Sequence, residues 1–418
     1  MSPIEPDTID AIIRKSHSVT LEPQEKIFAD LLINQALLNS AATNTPLGLS
    51  LAAAFDLYVA IEYYKRIANR GWLYCPHTEP LLIYPFTNVC PRCVLHGDFH
   101  YHQSNKPESG AIGTITQRLL CVFLKQFFAS QGKNLQVCSA PEPIDVIIYD
   151  ESEKIALLAE VKAAPLTTLP LAVHCERLTE ATSEGSAVEL SHTRADNPSI
   201  ASSLLQLVLP NRNAPNSSYE LVPLGTPGTS DLKHWFYTQL ERLFGVNDKL
   251  FRGYFQFWMR AYQAYNKAER EKNAALDAVY WYTNACGQPV PRPPHWPGRP
   301  NGTGYASISD GKSSVGMDRT DDIKKGIYQV LKIATANKPK AEKWRVKTAL
   351  IFNLHAIRHY DEYLLDLQDV MWTLDATGNA KTAKDLPADA NLYNLFDGII
   401  AFTKNYSRDE WIERNFQF

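Results

Sequence analysis

Residues 143–162 read PIDVIIYDESEKIALLAEVK, and this stretch decides the fold. Two apolar runs, Ile144–Tyr149 and Ile155–Val161, flank the polar turn Asp150-Glu151-Ser152-Glu153-Lys154, the pattern of an antiparallel β-hairpin. Folding the chain back about Ser152 sets Asp145 opposite Glu160. Side chains two residues apart share a strand face, so Glu160 and Lys162 point one way while Val161 enters the core on the other side. Two carboxylates and an ammonium group are thereby expected to converge.

Working outward, the run Leu135–Ser139 supplies a strand before the hairpin. Before that, Gly110–Gly132 carries Ile115, Leu119, Val122, Phe123 and Phe127 near one face of a helix that a glycine ends. Far downstream, Asp321–Ala334 predicts a helix and Trp344–Leu354 a strand. With residues of about 165–315 set aside, the order is αβββαβ, an α/β core in which 105–165 forms the first part and 316–418 the second part with the C-terminal region. The excursion 166–315 is then an insertion from one edge, a site for DNA recognition or dimerisation. Within it, 165–230 shows no sustained period, 231–285 is helical and aromatic, and 287–305, GQPVPRPPHWPGRPNGTGY, is a proline- and glycine-rich loop. Residues 1–71 predict an N-terminal helical layer, with helices over Glu22–Asn39 and Gly48–Asn69. Residues 72–104 form a segment rich in cysteine and histidine. No internal repeat is present.

The chain has 418 residues, enough for two to four domains at ~100–200 residues each. Hydrophobic residues make up 45% and charged residues 21%, which excludes collagen-like, coiled-coil and wholly disordered chains. A net charge of −3 excludes coating of nucleic acid by bulk charge, so any such binding rests on a local patch. The start, MSPIEPDTIDAII, lacks the basic region of a signal peptide, and no apolar run approaches the ~18 residues of a membrane span. A cytoplasmic, prokaryotic-type intracellular location and no membrane partner are expected. The cysteines number seven, an odd count that argues for metal binding over disulfides.

Two carboxylates with few other ligands suit Mg²⁺, which keeps several waters and takes phosphate oxygens. A cation held by Asp145 and Glu160 polarises a phosphate and activates water. Lys162 orients that water and neutralises charge on phosphorus. The arrangement of Pro143, Asp145, Glu160 and Lys162 resembles the PD-(D/E)xK nuclease motif, with Ile144 standing between proline and aspartate, and the element order resembles that superfamily's αβββαβ core. A long chain with large insertions is most similar, within it, to type II restriction endonucleases. The resemblance implies Mg²⁺-dependent cleavage of double-stranded DNA by a homodimer, with the Val161 carbonyl as a third metal ligand. It also implies a further polar group from the helix before the first strand, for which Gln117 and Glu108 are the candidates. Other readings are a repair or recombination nuclease of the same superfamily, a non-catalytic zinc-containing DNA-binding protein, and a small phosphate-ester hydrolase.

Residues 75–93 read CPHTEPLLIYPFTNVCPRC. Cys75, His77, Cys90 and Cys93 form two ligand pairs on tight turns, a spacing that suits a closed, structural tetrahedral Zn²⁺ site. His96, His100 and His102 compete with His77 for the fourth position. Cys121 and Cys138 fall on apolar patterns and are expected in the core. Between Lys312 and Leu350 ten Lys and Arg stand against four acids. Arg319, Lys324 and Lys325 open a helix there and are candidate phosphate contacts. Arg292, His295, Trp296 and Arg299 in the proline-rich loop are candidate DNA contacts. The aromatic stretch Phe251–Tyr265 has helical spacing and is expected to be core or a subunit interface.

Overall fold

A computed structural model describes residues 8–64, 73–74, 81–84, 109–174, 202–210, 219–246, 248–284, 291, 293–294, 315–316, 318–374, 386 and 390–418. In chain order the strands are β1 (His17–Ser18), β2 (Leu73–Tyr74), β3 (Leu81–Tyr84), β4 (Gln136–Ser139), β5 (Val146–Asp150), β6 (Ile155–Lys162) and β7 (Leu171–His174). They continue as β8 (Leu205–Pro210), β9 (Tyr219–Gly225), β10 (Arg345–Phe352), β11 (Met371–Trp372), β12 (Tyr393–Asn394), β13 (Gly398–Ala401) and β14 (Tyr406–Ser407). The chain divides into two units. One comprises residues Met1–Leu21, Thr116–Ala164 and Gly316–Phe418, the other Glu22–Ile115 and Pro165–Val315.

The first unit is α/β, built on a mixed seven-stranded sheet in the order β1-β4-β5-β6-β10-β13-β14. Strands β4, β5 and β6 form an antiparallel meander. Strand β10 runs parallel to β6, and β13 runs parallel to β10. The hairpin register pairs Val146 with Ala159, which sets Asp145 opposite Glu160 as the turn about Ser152 requires. The long apolar run of β6 is buried from Ile155 to Val161, as expected of a strand flanked on both sides.

The helix Thr320–Asn337 precedes β10 and covers one face of this sheet. Its Ile323 and Val330 join a core with Leu350, Phe352, Ile399 and Ala401, while Ile333 packs with Ile147, Ala156, Leu158 and Trp344. Glu160 and Lys162 continue the face of β6 that bears Ala156 and Leu158. The helix Ser109–Ser130 brings Phe123 to 5.7 Å of Phe402 and Phe128 to 5.2 Å of Phe416, ring centre to ring centre. Thr116 on that helix is buried and donates its hydroxyl to the Ala163 carbonyl, tying the helix to the end of β6.

The second unit has a five-stranded antiparallel sheet, β2-β3-β7-β8-β9. Residues 165–230, in which no period is legible, therefore hold three strands. Their sheet is completed by β3 from much earlier in the chain. The helices Pro23–Thr43, Leu47–Tyr64, Leu232–Val246 and Asp248–Tyr265 pack with one another in this unit. Pro23 at the first turn and a capping box between Glu22 and Glu25 start the first of them, and Asn44 in the left-handed conformation ends it. The helical layer expected over 1–71 is thus apportioned, since Thr8–Lys15 counts with the first unit and Pro23–Tyr64 with the second. Phe251, Tyr254, Phe257, Trp258 and Tyr265 are buried, so the aromatic stretch is core. Among the described residues, Leu47–Tyr64 is the one helix long and apolar enough to cross a bilayer, and 83% of it is buried inside the protein.

Candidate active site

Asp145 stands just before β5, where its amide donates to the Ala159 carbonyl at 3.2 Å. Its Oδ2 accepts the Val161 amide at 2.8 Å. The carboxylate therefore replaces the missing next residue of the ladder. In an antiparallel pair the N–H and C=O of one residue face the same neighbour, so the Val161 carbonyl is directed to the same side as Asp145. Glu160 is only 5% exposed, and its Oε1 lies 2.5 Å from Lys162 Nζ. Burial pushes the Glu160 carboxyl up to about 7; the Asp145 charge adds to this and Lys162 opposes it. Burial also pushes the Cys121 thiol up to about 12, with the Asp145 charge in support, as expected of an inert core cysteine.

The chain leaving β6 is held as firmly as the acids. The buried Asn353 side chain accepts from the Ala164 amide at 3.1 Å and donates to the Ala164 carbonyl at 2.8 Å, extending the β6–β10 ladder by a side chain. The Gly316 amide donates to the same carbonyl at 3.0 Å. Gly316 has φ +54°, and a Cβ there would meet the Leu354 carbonyl oxygen at 2.8 Å, so glycine is required. Asp318, also buried, accepts from the amides of Arg358 and His359. Sequence reasoning passed over Asn353 and Asp318. The available signal was the polar Asn353 directly after the apolar end of a buried strand.

The hairpin brings Asp145, Glu160 and Lys162 together. Gln117 is half-buried, one residue beyond the Thr116 anchor. Among the described residues no group of three or more His, Cys, Asp or Glu side chains is gathered to hold a metal; the candidate centre here has two acids. Cys75, His77, Cys90, Cys93, His96, His100, His102, Glu108, Arg292, His295, Trp296 and Arg299 lie outside the described residues.

Among the described residues of the basic band of 312–350, several basic side chains face acids. Lys338 is buried against Asp397 at 2.6 Å, Lys347 pairs with Asp409, Arg345 faces Glu153 at 3.7 Å and Lys343 faces Asp10 at 3.9 Å. These partners are remote in sequence, which is why the local count overstates the available charge. Of the three candidate phosphate contacts, Arg319 stands 3.6 Å from Asp322, Lys324 lies over the Tyr363 ring at 5.4 Å, and Lys325 is exposed with no ion pair among the described residues.

A second polar centre, unforeseen from sequence, sits in the other unit. Asp56, 1% exposed, accepts at Oδ2 from the amides of Leu166 and Thr167, both at 3.0 Å, and from Trp258 Nε1 at 2.7 Å. Burial pushes its carboxyl up to about 8 despite these donors. Its signal was a lone acid inside the apolar run LGLSLAAAFDLYVAIEYY.

Compared with protein-family models, with curated proteins and with solved structures, the chain matches none of them.

Proposed function

We propose that the protein is a Mg²⁺-dependent, site-specific double-stranded DNA endonuclease of the PD-(D/E)xK kind, similar to type II restriction enzymes and acting as a homodimer. The observation that carries this reading is the convergence of Asp145, the desolvated Glu160 and Lys162 on one face of the β5–β6 hairpin. The meander β4-β5-β6 followed by a helix and the parallel strand β10 supports it, since that is the order of the αβββαβ core.

Asp145, Glu160 and the Val161 carbonyl suit Mg²⁺, because they offer hard oxygen donors and leave room for waters and a phosphate oxygen. When bound, such an ion would supply Lewis acidity at the scissile phosphate and would lower the pKa of a bound water. Asp145 fixes the strand end through the Val161 amide. Glu160, raised toward neutrality without metal, gives up its proton more readily when a cation is bound. Lys162 leaves its pairing with Glu160 to hold the attacking water and to neutralise charge on the phosphorus. The cysteine and histidine segment, with Cys75, His77, Cys90 and Cys93, is proposed to bind a structural Zn²⁺, and the protein to reside in the cytoplasm.

Incubation with plasmid DNA and Mg²⁺ tests the reading. Discrete fragments support it, progressive loss from ends indicates a repair or recombination nuclease, and binding without nicking indicates a non-catalytic DNA-binding protein. Elemental analysis giving one zinc per chain, lost in Cys90→Ser, tests the zinc site.

A further inference from the structure

Strands β6, β10 and β13 are parallel and end in one row, with Lys162 the register partner of Phe352 and Phe352 that of Ala401. Ligands of open α/β sheets collect at the carboxyl ends of such strands. The end of β6 carries the candidate active site. The segments leaving β10 and β13 meet beside it, where the His355 amide donates to Thr403 Oγ1 at 2.9 Å.

Two side chains occupy this second position. The His355 ring lies 4.4 Å from the Tyr360 ring, centre to centre, and Lys404 Nζ stands 5.5 Å from the centre of the same ring. Lys404 is exposed, and among the described residues no carboxylate pairs with it. His355 is half-buried, and among the described residues its ring nitrogens have no hydrogen-bond partner. Burial, with Lys404 in support and Asp361 opposing, pushes the His355 ring down to about 4. Its ring is therefore neutral at physiological pH and presents one N–H donor. A fixed cation, a neutral donor and a nearby acid make a weakly positive position. That suits a singly charged phosphodiester better than a phosphomonoester dianion.

We propose that Lys404 and His355 form a second phosphodiester-binding position, which grips the nucleic-acid backbone beside the scissile phosphate. The inference rests on the nuclease reading of Asp145, Glu160 and Lys162. Two strand spacings separate β6 from β13, about 10 Å. Backbone contacts of this kind set register on the duplex without reading bases.

The test is fluorescence anisotropy of a labelled mixed-sequence DNA duplex, with Ca²⁺ in place of Mg²⁺, across a salt series. Wild type is compared with Lys404→Ala, Lys404→Arg and His355→Gln, and melting curves establish that each variant is folded. Lys404→Ala is expected to weaken binding about tenfold and to make the salt slope shallower by about 0.9, while Lys404→Arg keeps both. In Mg²⁺, Lys404→Ala is expected to raise KM with kcat retained. If wild type binds and cleaves while Lys404→Ala and His355→Gln match it in affinity and salt slope, the second position is overturned and the nuclease reading stands. If wild type neither binds nor cleaves DNA, the nuclease reading falls and takes this inference with it.

Discussion

Asp145 accepts a hydrogen bond from the Val161 amide at 2.8 Å, so the first acid of the candidate site also holds the strand that carries the second acid and the lysine. Structural and chemical duties therefore overlap at Asp145, and the choice of substitution separates them. Asp145→Asn keeps an acceptor for the Val161 amide and removes the charge. It is expected to abolish cleavage while leaving the melting temperature near that of wild type. Asp145→Ala also abolishes cleavage, but it strands a backbone donor at a cost of about 1–3 kcal/mol. Lys162→Ala is expected to lower kcat by about 10²–10³-fold with DNA binding retained. Plasmid cleavage and urea melts of the three variants check this, and wild-type-like cleavage by Asp145→Asn or Lys162→Ala refutes the assignment.

Burial pushes the Glu160 carboxyl up to about 7, so a cation bound there would displace a proton below that pH. Metal affinity is expected to fall about tenfold per pH unit below about 7 and to level off above it. Calorimetric titration with Mn²⁺ across this range measures the slope. Glu160→Gln removes both the slope and most of the affinity. A pH-independent wild-type affinity contradicts this role for Glu160.

Asp56 carries the opposite kind of message, one about stability. Its carboxyl is raised from 3.8 to about 8, so between those values the folded protein holds a proton that the unfolded chain has released. Stability from this group is therefore full below pH 4 and declines as pH rises toward about 8. Asp56→Asn is expected to flatten that decline, whereas Asp56→Ala leaves three buried donors without an acceptor and costs about 2–4 kcal/mol. Urea unfolding at acidic and at slightly alkaline pH compares them; an unchanged decline in Asp56→Asn counts against the assignment.

Lys338 and Asp397 form a buried pair, with side chains 3% and 5% exposed. The lysine also donates to the Asn394 carbonyl, and Asp397 accepts from the Thr348 amide at 2.7 Å. Lys338→Ala strands the aspartate in the interior and is expected to cost about 3–5 kcal/mol. The double change Lys338→Met with Asp397→Leu recovers part of this loss. Chemical denaturation of the single and double variants measures both.

The hairpin was legible because its information is local. An apolar run, a polar turn and a second run set the register, and the pairing of Val146 with Ala159 follows from where the turn lies. The long helices were legible for the same reason. Strand β13 was not, because Gly398–Ala401 is four residues long and owes its place to the edge of β10. Strand β7 is four residues long and stands far from β8 in sequence, while β8 and β9, of six and seven residues, carry Pro210 and Pro223, which read as breaks. The basic band misled because charge along the chain says nothing of partners such as Asp10, Glu153, Asp397 and Asp409, which tertiary folding supplies. Asp56 was visible as a lone acid in an apolar helix, but its three donors come from Leu166, Thr167 and Trp258, more than a hundred residues away in sequence.

The excursion of 165–315 leaves after Ala164 and returns at Gly316, and one hydrogen bond of 3.0 Å joins these two points. The two ends of the excursion are thereby fixed within the first unit. The β6–β10 ladder, paired from Ile155 to Lys162, takes its register from residues outside the excursion. On the proposed nuclease reading, the strand pairing behind the candidate site is thus set apart from the residues proposed to read DNA.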